Sequence, residues 1–438
     1  MFFAENRRSS ELGKSCCAYW FKCSGLRKTA AAFFAVLTVL SVFFGSVLYP
    51  SLVFASDDDT PLTNLIEGWP QMSSIAEASG IVMDADTGAI LYSLNRNTVR
   101  YPASTTKILT ALLTIENASL SDTVTMTAEG IVHCSDGSTN AGTVAGEEFT
   151  VEQCLYIMLL KSANDIAVQL AVHVAGSVSA FAEMMNARAE KLGCTSSHFV
   201  NPSGMPDSEH YSCAEDMARI MRECMKNETF RKIVATPRYT VPPTNKKSEE
   251  RVYDNHNLLI QPTSEYYYEP DIGGKTGFTQ AAWRTFVTAA EKDGMTLIAV
   301  TMRGPDKTDF IDAKNLLEYG FNNFSHQDID GVQVTLPNGF AADAVEQKET
   351  QLPDGTWHVE CSYKGLPLGE AVLPANARGE EVVSSVEEVP VEAEKEQETG
   401  SAVVSRGGGI PTPVLIVVLI ILLAAMAGVV TMLLRERR

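Results

Sequence analysis

Two strand-like stretches at opposite ends of one region, 79–92 and 273–302, constrain this chain most, because helical patterns fill the sequence between them. Ser79–Tyr92 reads as two short strands around Asp86-Thr87-Gly88. Gly273–Thr279 opens the second group, and Arg284–Ala290 and Met295–Met302 form a hairpin around Lys292-Asp293-Gly294. Between them, Val151–Val174 is a long apolar helical pattern interrupted at Lys161-Ser162-Ala163-Asn164-Asp165. Ser179–Leu192 is a second helix, stopped by Gly193, and Ala214–Met225 is a third. Residues 120–150 are turn-rich and read as loop, and Asp309–Phe321 reads as a closing helix. A mixed sheet with an inserted helical region satisfies this order.

Both ends of the chain carry membrane signals. Arg7, Arg8, Lys14, Lys22, Arg27 and Lys28 precede an apolar run from Thr29 to Ala55, the pattern of a signal peptide or signal anchor. Val414–Leu434 is 21 residues without a charge, followed by Arg435-Glu436-Arg437-Arg438. That length crosses a bilayer, and the trailing arginines put the C-terminus in the cytoplasm. The expected organisation is a basic tail and signal segment (1–55), a catalytic domain (76–324), a small β unit (325–378), an acidic linker (379–410), a transmembrane helix (411–434) and a short cytoplasmic tail (435–438). The β unit rests on the short alternations Val332–Leu336 and Trp357–Cys361, and some fifty residues bury little core alone. Residues 56–410 are expected outside the cell membrane, where disulfides are permitted. Cys134, Cys154, Cys194, Cys213, Cys224 and Cys361 fall there, match no zinc spacing and support no assigned bridge. The net charge of −19 argues against a nucleic-acid partner, although the eight Glu of residues 380–400 contribute part of it.

The chemistry-bearing stretch is Tyr101–Glu116. Pro102 favours a helix start just after it, and apolar residues at 108, 109, 112, 113 and 115 give that helix a buried face. Ser104 then lies in the first turn, where unpaired N–H groups favour developing negative charge. Lys107 stands at i+3 on the same face, and Ser-x-x-Lys occurs once in the chain. A lysine activates a serine only when burial or a second cation lowers its pKa. Read blandly, Ser104 is a cap and Lys107 an exposed helix residue. Two further patterns weigh against that. Ser162-Ala163-Asn164 breaks an apolar helix with polar side chains that need partners if buried. The same spacing at Ser93-Leu94-Asn95 and Ser138-Thr139-Asn140 shows that it means little alone. Lys275-Thr276-Gly277 occurs once, at a strand entry.

In this order the three patterns resemble the penicilloyl-serine transferases, which include penicillin-binding proteins and serine β-lactamases. Arg100–Lys107, Lys161–Asp165, Asn201-Pro202-Ser203-Gly204 with His210-Tyr211-Ser212, Gly274–Thr279 and Leu316–Phe321 are similar to the low-molecular-mass D-alanyl-D-alanine carboxypeptidases, over about residues 76–324. The resemblance implies an α+β fold, an antiparallel sheet flanked by helices with an inserted all-helical subdomain. It implies acyl transfer at the D-Ala-D-Ala end of peptidoglycan stem peptides, covalent inhibition by β-lactam antibiotics, and no metal or cofactor. By carry-over, Ser104 is the nucleophile and Lys107 its base. Ser162 relays protons, and Asn164 holds the peptide amide. Lys275 and Thr276 face the substrate carboxylate, and Gly277 keeps the strand edge open to substrate. The backbone N–H groups of Ser104 and Phe278 form the oxyanion hole. Relatives often add a basic residue after the last core strand; Arg303 and Lys307 both qualify.

Rival readings are weaker. A class A β-lactamase needs a deacylating Glu, and Ser196–Asn201 has none. A sensor that acylates without turnover should signal inward, yet four residues follow Leu434. A Ser-His-Asp hydrolase lacks Gly-x-Ser-x-Gly, and His210 reads as a structural hydrogen-bonding residue.

Overall fold

The computed structural model describes residues 60–132 and 137–378, which fall in one compact unit. The apolar runs at both ends, the acidic linker and Cys134 lie outside the described residues. Among the described residues, no single helix is long and apolar enough to cross a membrane.

The two separated strand groups do build one sheet. β1 (Ser79–Asp84), β2 (Ile90–Leu94), β7 (Asp271–Thr279), β8 (Trp283–Lys292) and β9 (Met295–Gly304) lie in the order β2-β1-β9-β8-β7. Every neighbouring pair is antiparallel, and β1 meets β9 with Gly80 opposite Thr301 and Met83 opposite Ile298. Ile81, Val82, Ile298, Ala299 and Val300 are fully buried, so this distant pairing runs through the core. β7 ends up at an edge, with one side free of a neighbouring strand.

Among the described residues, seven helices lie between β2 and β7: α1 (Lys107–Asn117), α2 (Ala128–Ile131), α3 (Val151–Lys161), α4 (Asn164–Ala175), α5 (Val178–Lys191), α6 (Ala214–Met225) and α7 (Glu228–Val234). The region is not all helical. β3 (Thr123–Thr125) pairs with β4 (Glu148–Thr150), and β5 (Arg238–Val241) with β6 (Arg251–Asp254). Residues 120–150, expected as loop, therefore hold β3, α2 and β4; strands of three residues are too short to show a period of two. α8 (Thr308–Asn323) closes the core, with Leu316, Leu317 and Ala313 fully buried.

The last described strands are β10 (Phe324–Ile329) with β11 (Val332–Pro337), and β12 (Glu346–Gln351), β13 (Trp357–Tyr363) and β14 (Leu366–Leu373) as a three-stranded sheet. They lean on the preceding core through aromatic and polar contacts. Trp69 stacks on Tyr363 at 6.4 Å, and the fully buried Asp84 carboxylate accepts from His326 Nε2 at 2.8 Å and Thr335 Oγ1 at 3.0 Å. Cys154, Cys194, Cys213, Cys224 and Cys361 are free thiols.

Candidate active site

The start of α1 sets the site. Ala103–Thr106 forms a 3₁₀ turn that runs straight into α1, and the Lys107 N–H bonds back to the Ser104 carbonyl. In a 3₁₀ turn residues i and i+3 eclipse one another, which brings Lys107 Nζ to 3.0 Å from Ser104 Oγ. Ala103 holds a φ of 49°, an uncommon conformation for a residue with a Cβ, immediately before the serine.

Lys107 is fully buried, with three neighbours at its amine: Ser104 Oγ, Asn164 Oδ1 at 2.7 Å and the Ser203 carbonyl at 2.6 Å. Burial first, and then the charge of Lys275, hold its pKa well below the usual lysine value, against a smaller opposing effect of Asp165. The neutral amine has two N–H groups and one lone pair. A carbonyl and an amide oxygen only accept, so the two N–H groups go to Asn164 and Ser203. In the neutral form the lone pair would be left facing the Ser104 hydroxyl, 3.0 Å away.

The break between α3 and α4 supplies the second wall. Ser162 takes a left-handed φ of 64°, so the chain turns and restarts as α4 with Asn164 in its first turn. Such a conformation costs about 1–3 kcal/mol outside glycine and persists only where surrounding contacts impose it. Just beyond it, the Asp165 carboxylate accepts from Ala141 N at 3.0 Å and Thr143 Oγ1 at 2.8 Å, tying the neighbouring loop to α4. Ser162 is 6 % exposed, and no hydrogen bond of its hydroxyl is seen among the described residues.

The third wall is β7. Lys275 is 1 % exposed and donates to the Thr276 carbonyl at 2.7 Å, and desolvation pulls its pKa down to about 7. Gly277 also has a packing reason of its own. A Cβ there would lie 2.3 Å from Thr285 Oγ1, 3.0 Å from Ser104 N and 3.1 Å from Ala103 Cβ. The missing side chain therefore admits the Ser104 turn and Thr285, which itself donates to the Pro102 carbonyl at 2.9 Å. Phe278 follows and is 57 % exposed. Of the two basic residues set aside for the carboxylate, Arg303 lies 5.9 Å from the Trp283 ring, and Lys307 sits left-handed ahead of α8.

Sequence reasoning gave no role to Asn201, yet it shapes the site. Its Oδ1 accepts from the N–H groups of Ser203, Gly204 and Met205 at 2.8–3.2 Å, curling the loop so that the Ser203 carbonyl reaches Lys107. Asn followed by Pro-Ser-Gly is a turn signal that could have pointed to it. Gly204, at φ 83°, packs so closely that a Cβ would fall 1.8 Å from the Ala103 carbonyl oxygen. Gly204→Ala is expected to destabilise the protein by about 3 kcal/mol or more and to slow acylation of Ser104. Thermal unfolding together with the rate of β-lactam adduct formation checks this; a variant equal to wild type in both would show the contact to be dispensable. His210 has the structural job expected. Its Nδ1 accepts from Val200 N at 3.2 Å, so Nε2 carries the proton and donates to Thr106 Oγ1 at 2.9 Å. Burial pulls its pKa down to about 4, which keeps it neutral.

A serine, a buried lysine of depressed pKa, an amide side chain and a second lysine thus converge from a helix start, a helix break and a sheet edge. The comparisons agree with that geometry. D-alanyl-D-alanine carboxypeptidase DacB2 of Mycobacterium tuberculosis is 36 % identical over 248 residues, 55 % of this chain and 81 % of that protein. DacF of Bacillus subtilis, likewise a D-alanyl-D-alanine carboxypeptidase, is 32 % identical over 253 residues, 56 % of this chain and 62 % of that protein. Among solved structures, a Streptomyces DD-transpeptidase is similar at a TM-score of 0.54 and 31 % identity, covering 58 % of this chain and all of that one. The family described as D-alanyl-D-alanine carboxypeptidase matches residues 67–306, and this chain belongs to it.

Proposed function

We propose that this protein hydrolyses the terminal D-Ala-D-Ala bond of peptidoglycan stem pentapeptides through an acyl-enzyme on Ser104, and that β-lactams acylate the same serine. The observation that carries the reading is the buried Lys107 of depressed pKa, whose amine, once neutral, has only the Ser104 hydroxyl to receive a proton from. In the first step the Ser104 Oγ–H proton passes to Lys107 Nζ as Oγ bonds the penultimate carbonyl carbon. The resulting oxyanion is held by the N–H groups of Ser104 and Phe278, where losing one donor costs about 3 kcal/mol of barrier. The Lys107 ammonium then returns its proton, relayed by the Ser162 hydroxyl, to the leaving nitrogen; the C–N bond breaks and D-Ala departs. Water repeats the sequence against the acyl carbon, with Lys107 again taking the proton, and Ser104 is restored. Asn164 holds the donor amide, and Lys275 and Thr276 meet the substrate carboxylate.

The domain order proposed is the catalytic domain at 76–324, the β unit at 325–378, an acidic linker at 379–410 and a membrane anchor at 411–434, with the catalytic domain on the outer face. The basic residues on the proposed cytoplasmic sides of both apolar runs support this placement. Protease treatment of intact cells should remove the catalytic domain, and a protected domain would overturn the topology.

Both carboxypeptidases and a transpeptidase appear among the similar proteins, so the fate of the acyl group is the deciding measurement. Full-length protein in detergent, given a pentapeptide donor and a D-amino acid acceptor, should release more D-Ala by hydrolysis than it forms exchange product. A large excess of exchange at modest acceptor concentration would make transpeptidation the main activity.

A further inference from the structure

Asn164 has to stand where its Oδ1 meets Lys107 Nζ, yet it opens α4 just past a left-handed break. A loop from outside the helix holds it there. The Thr139 carbonyl accepts from the Asn164 N–H at 2.9 Å. The Asp165 carboxylate accepts from the Ala141 and Thr143 N–H groups at 3.0 and 3.3 Å, and from Thr143 Oγ1 at 2.8 Å. Residues 139–144 belong to no strand or helix, and Gly142 and Val144 are exposed, so the loop needs a support of its own.

That support converges on Glu147, whose carboxyl is fully buried and gathers donors from two directions. From the loop itself, Val144 N–H donates to Oε2 at 3.2 Å. From the β5–β6 hairpin, 97 and 104 positions further along, Thr244 Oγ1 donates to Oε1 at 2.8 Å and Arg251 Nη2 at 2.6 Å. Arg251 also lies over the Phe149 ring, 5.2 Å from its centre. Around this pair the hairpin grips the loop's backbone. Asn245 Nδ2 donates to the Gly146 carbonyl at 2.8 Å, and Lys247 Nζ donates to the Gly142 carbonyl. Breaking a buried ion pair is strongly unfavourable, so loop and hairpin are held together as one piece.

We propose that Glu147, clamped by Arg251 and Thr244, is a positioning residue of the acyl-transfer site. It fixes the 139–144 loop against the start of α4, and so sets the Asn164 amide on Lys107. This rests on the carboxypeptidase reading above. The path is continuous in hydrogen bonds: hairpin to Glu147, Glu147 to Val144, loop to the Asn164 N–H, and Asn164 Oδ1 to Lys107 Nζ at 2.7 Å. When the loop lets go, the Asn164 amide moves. Lys107 then loses one of the two acceptors that orient its amine toward Ser104. Misplacing a catalytic group by about 1 Å costs about 100-fold in rate.

The test is acylation of the full-length protein in detergent by benzylpenicillin, resolved into a pre-covalent dissociation constant and the rate constant of the covalent step. Glu147→Ala should lower that rate constant about 100-fold and shift the dissociation constant less than about twofold. The deciding measurement is the same substitution in an Asn164→Ala background. A residue that acts through Asn164 has nothing left to position there, so Glu147→Ala should then change the rate constant less than about twofold. Equal losses in both backgrounds mean a merely structural role and overturn the proposal. So does a folded Glu147→Ala variant that acylates as wild type does. Where Glu147→Ala does not fold, Thr244→Val removes one hydrogen bond from the same carboxyl. It should slow the covalent step about tenfold, the loss expected for a hydrogen bond to a charged group, and should add nothing to Asn164→Ala. An unchanged or additive rate in that variant is equally fatal. A wild-type protein that benzylpenicillin does not acylate would sink the carboxypeptidase reading instead, so the two failures are distinguishable.

Discussion

Ser104→Ala abolishes both D-Ala release and covalent β-lactam labelling, with an expected loss on the order of 10⁶ in kcat. The size follows from the unity of the site. Without the Ser104 oxygen no acyl-enzyme forms, and the Lys107 lone pair faces an empty position that water fills without the same alignment. The cost to folding is small, since Ser104 is only part-buried and its Oγ bonds nothing but Lys107 among the described residues. Mass mapping of the adduct on the wild-type protein, beside unfolding of the variant, separates chemistry from stability. An adduct on Ser162, or labelling that survives in a folded Ser104→Ala variant, would remove Ser104 from the nucleophile's role.

Lys107→Ala should lower kcat/KM by about 10²–10⁴, the range for loss of a positioned base, and should change the pH profile as well. In the wild type, Lys107 works as the neutral amine, so kcat/KM rises as pH passes up through its depressed pKa. Lys275 works as the ammonium, so kcat/KM falls as pH rises through about 7 in the free enzyme. The substrate carboxylate favours the charged form of Lys275, so the alkaline fall in kcat lies at higher pH than the fall in kcat/KM. Removing Lys107 removes the acid limb. Removing Lys275 instead takes away a positive charge that lowers the Lys107 pKa, and the acid limb of Lys275→Ala moves up in pH. An acid limb that persists in Lys107→Ala, or one that moves down in Lys275→Ala, would show that the two lysines do not act as a coupled base and anchor.

Local chemistry made much of this legible in the sequence. The i+3 spacing of Ser104 and Lys107 is a property of one turn, so no distant residue was needed to find the pair. The separated strand groups flanking helical patterns forced one sheet, because strand and helix periodicities are local signals and the sheet has to close through them. The apolar runs at either end are likewise read from composition alone.

Tertiary structure decided everything that depends on convergence. Whether Lys107 is a base or an ordinary surface lysine turns on burial and on Lys275, which arrives from a strand 168 positions later in the numbering, Lys107 to Lys275. The lone-pair argument needs the Ser203 carbonyl, a backbone atom that no side-chain motif encodes. Gly277 is required also by the packing of Thr285 and the Ser104 turn against it, which a linear reading does not show. Sequence fixes which groups are available and what each does with its immediate neighbours; desolvation and charge coupling are set by atoms brought together across the chain, and only the folded arrangement supplies those.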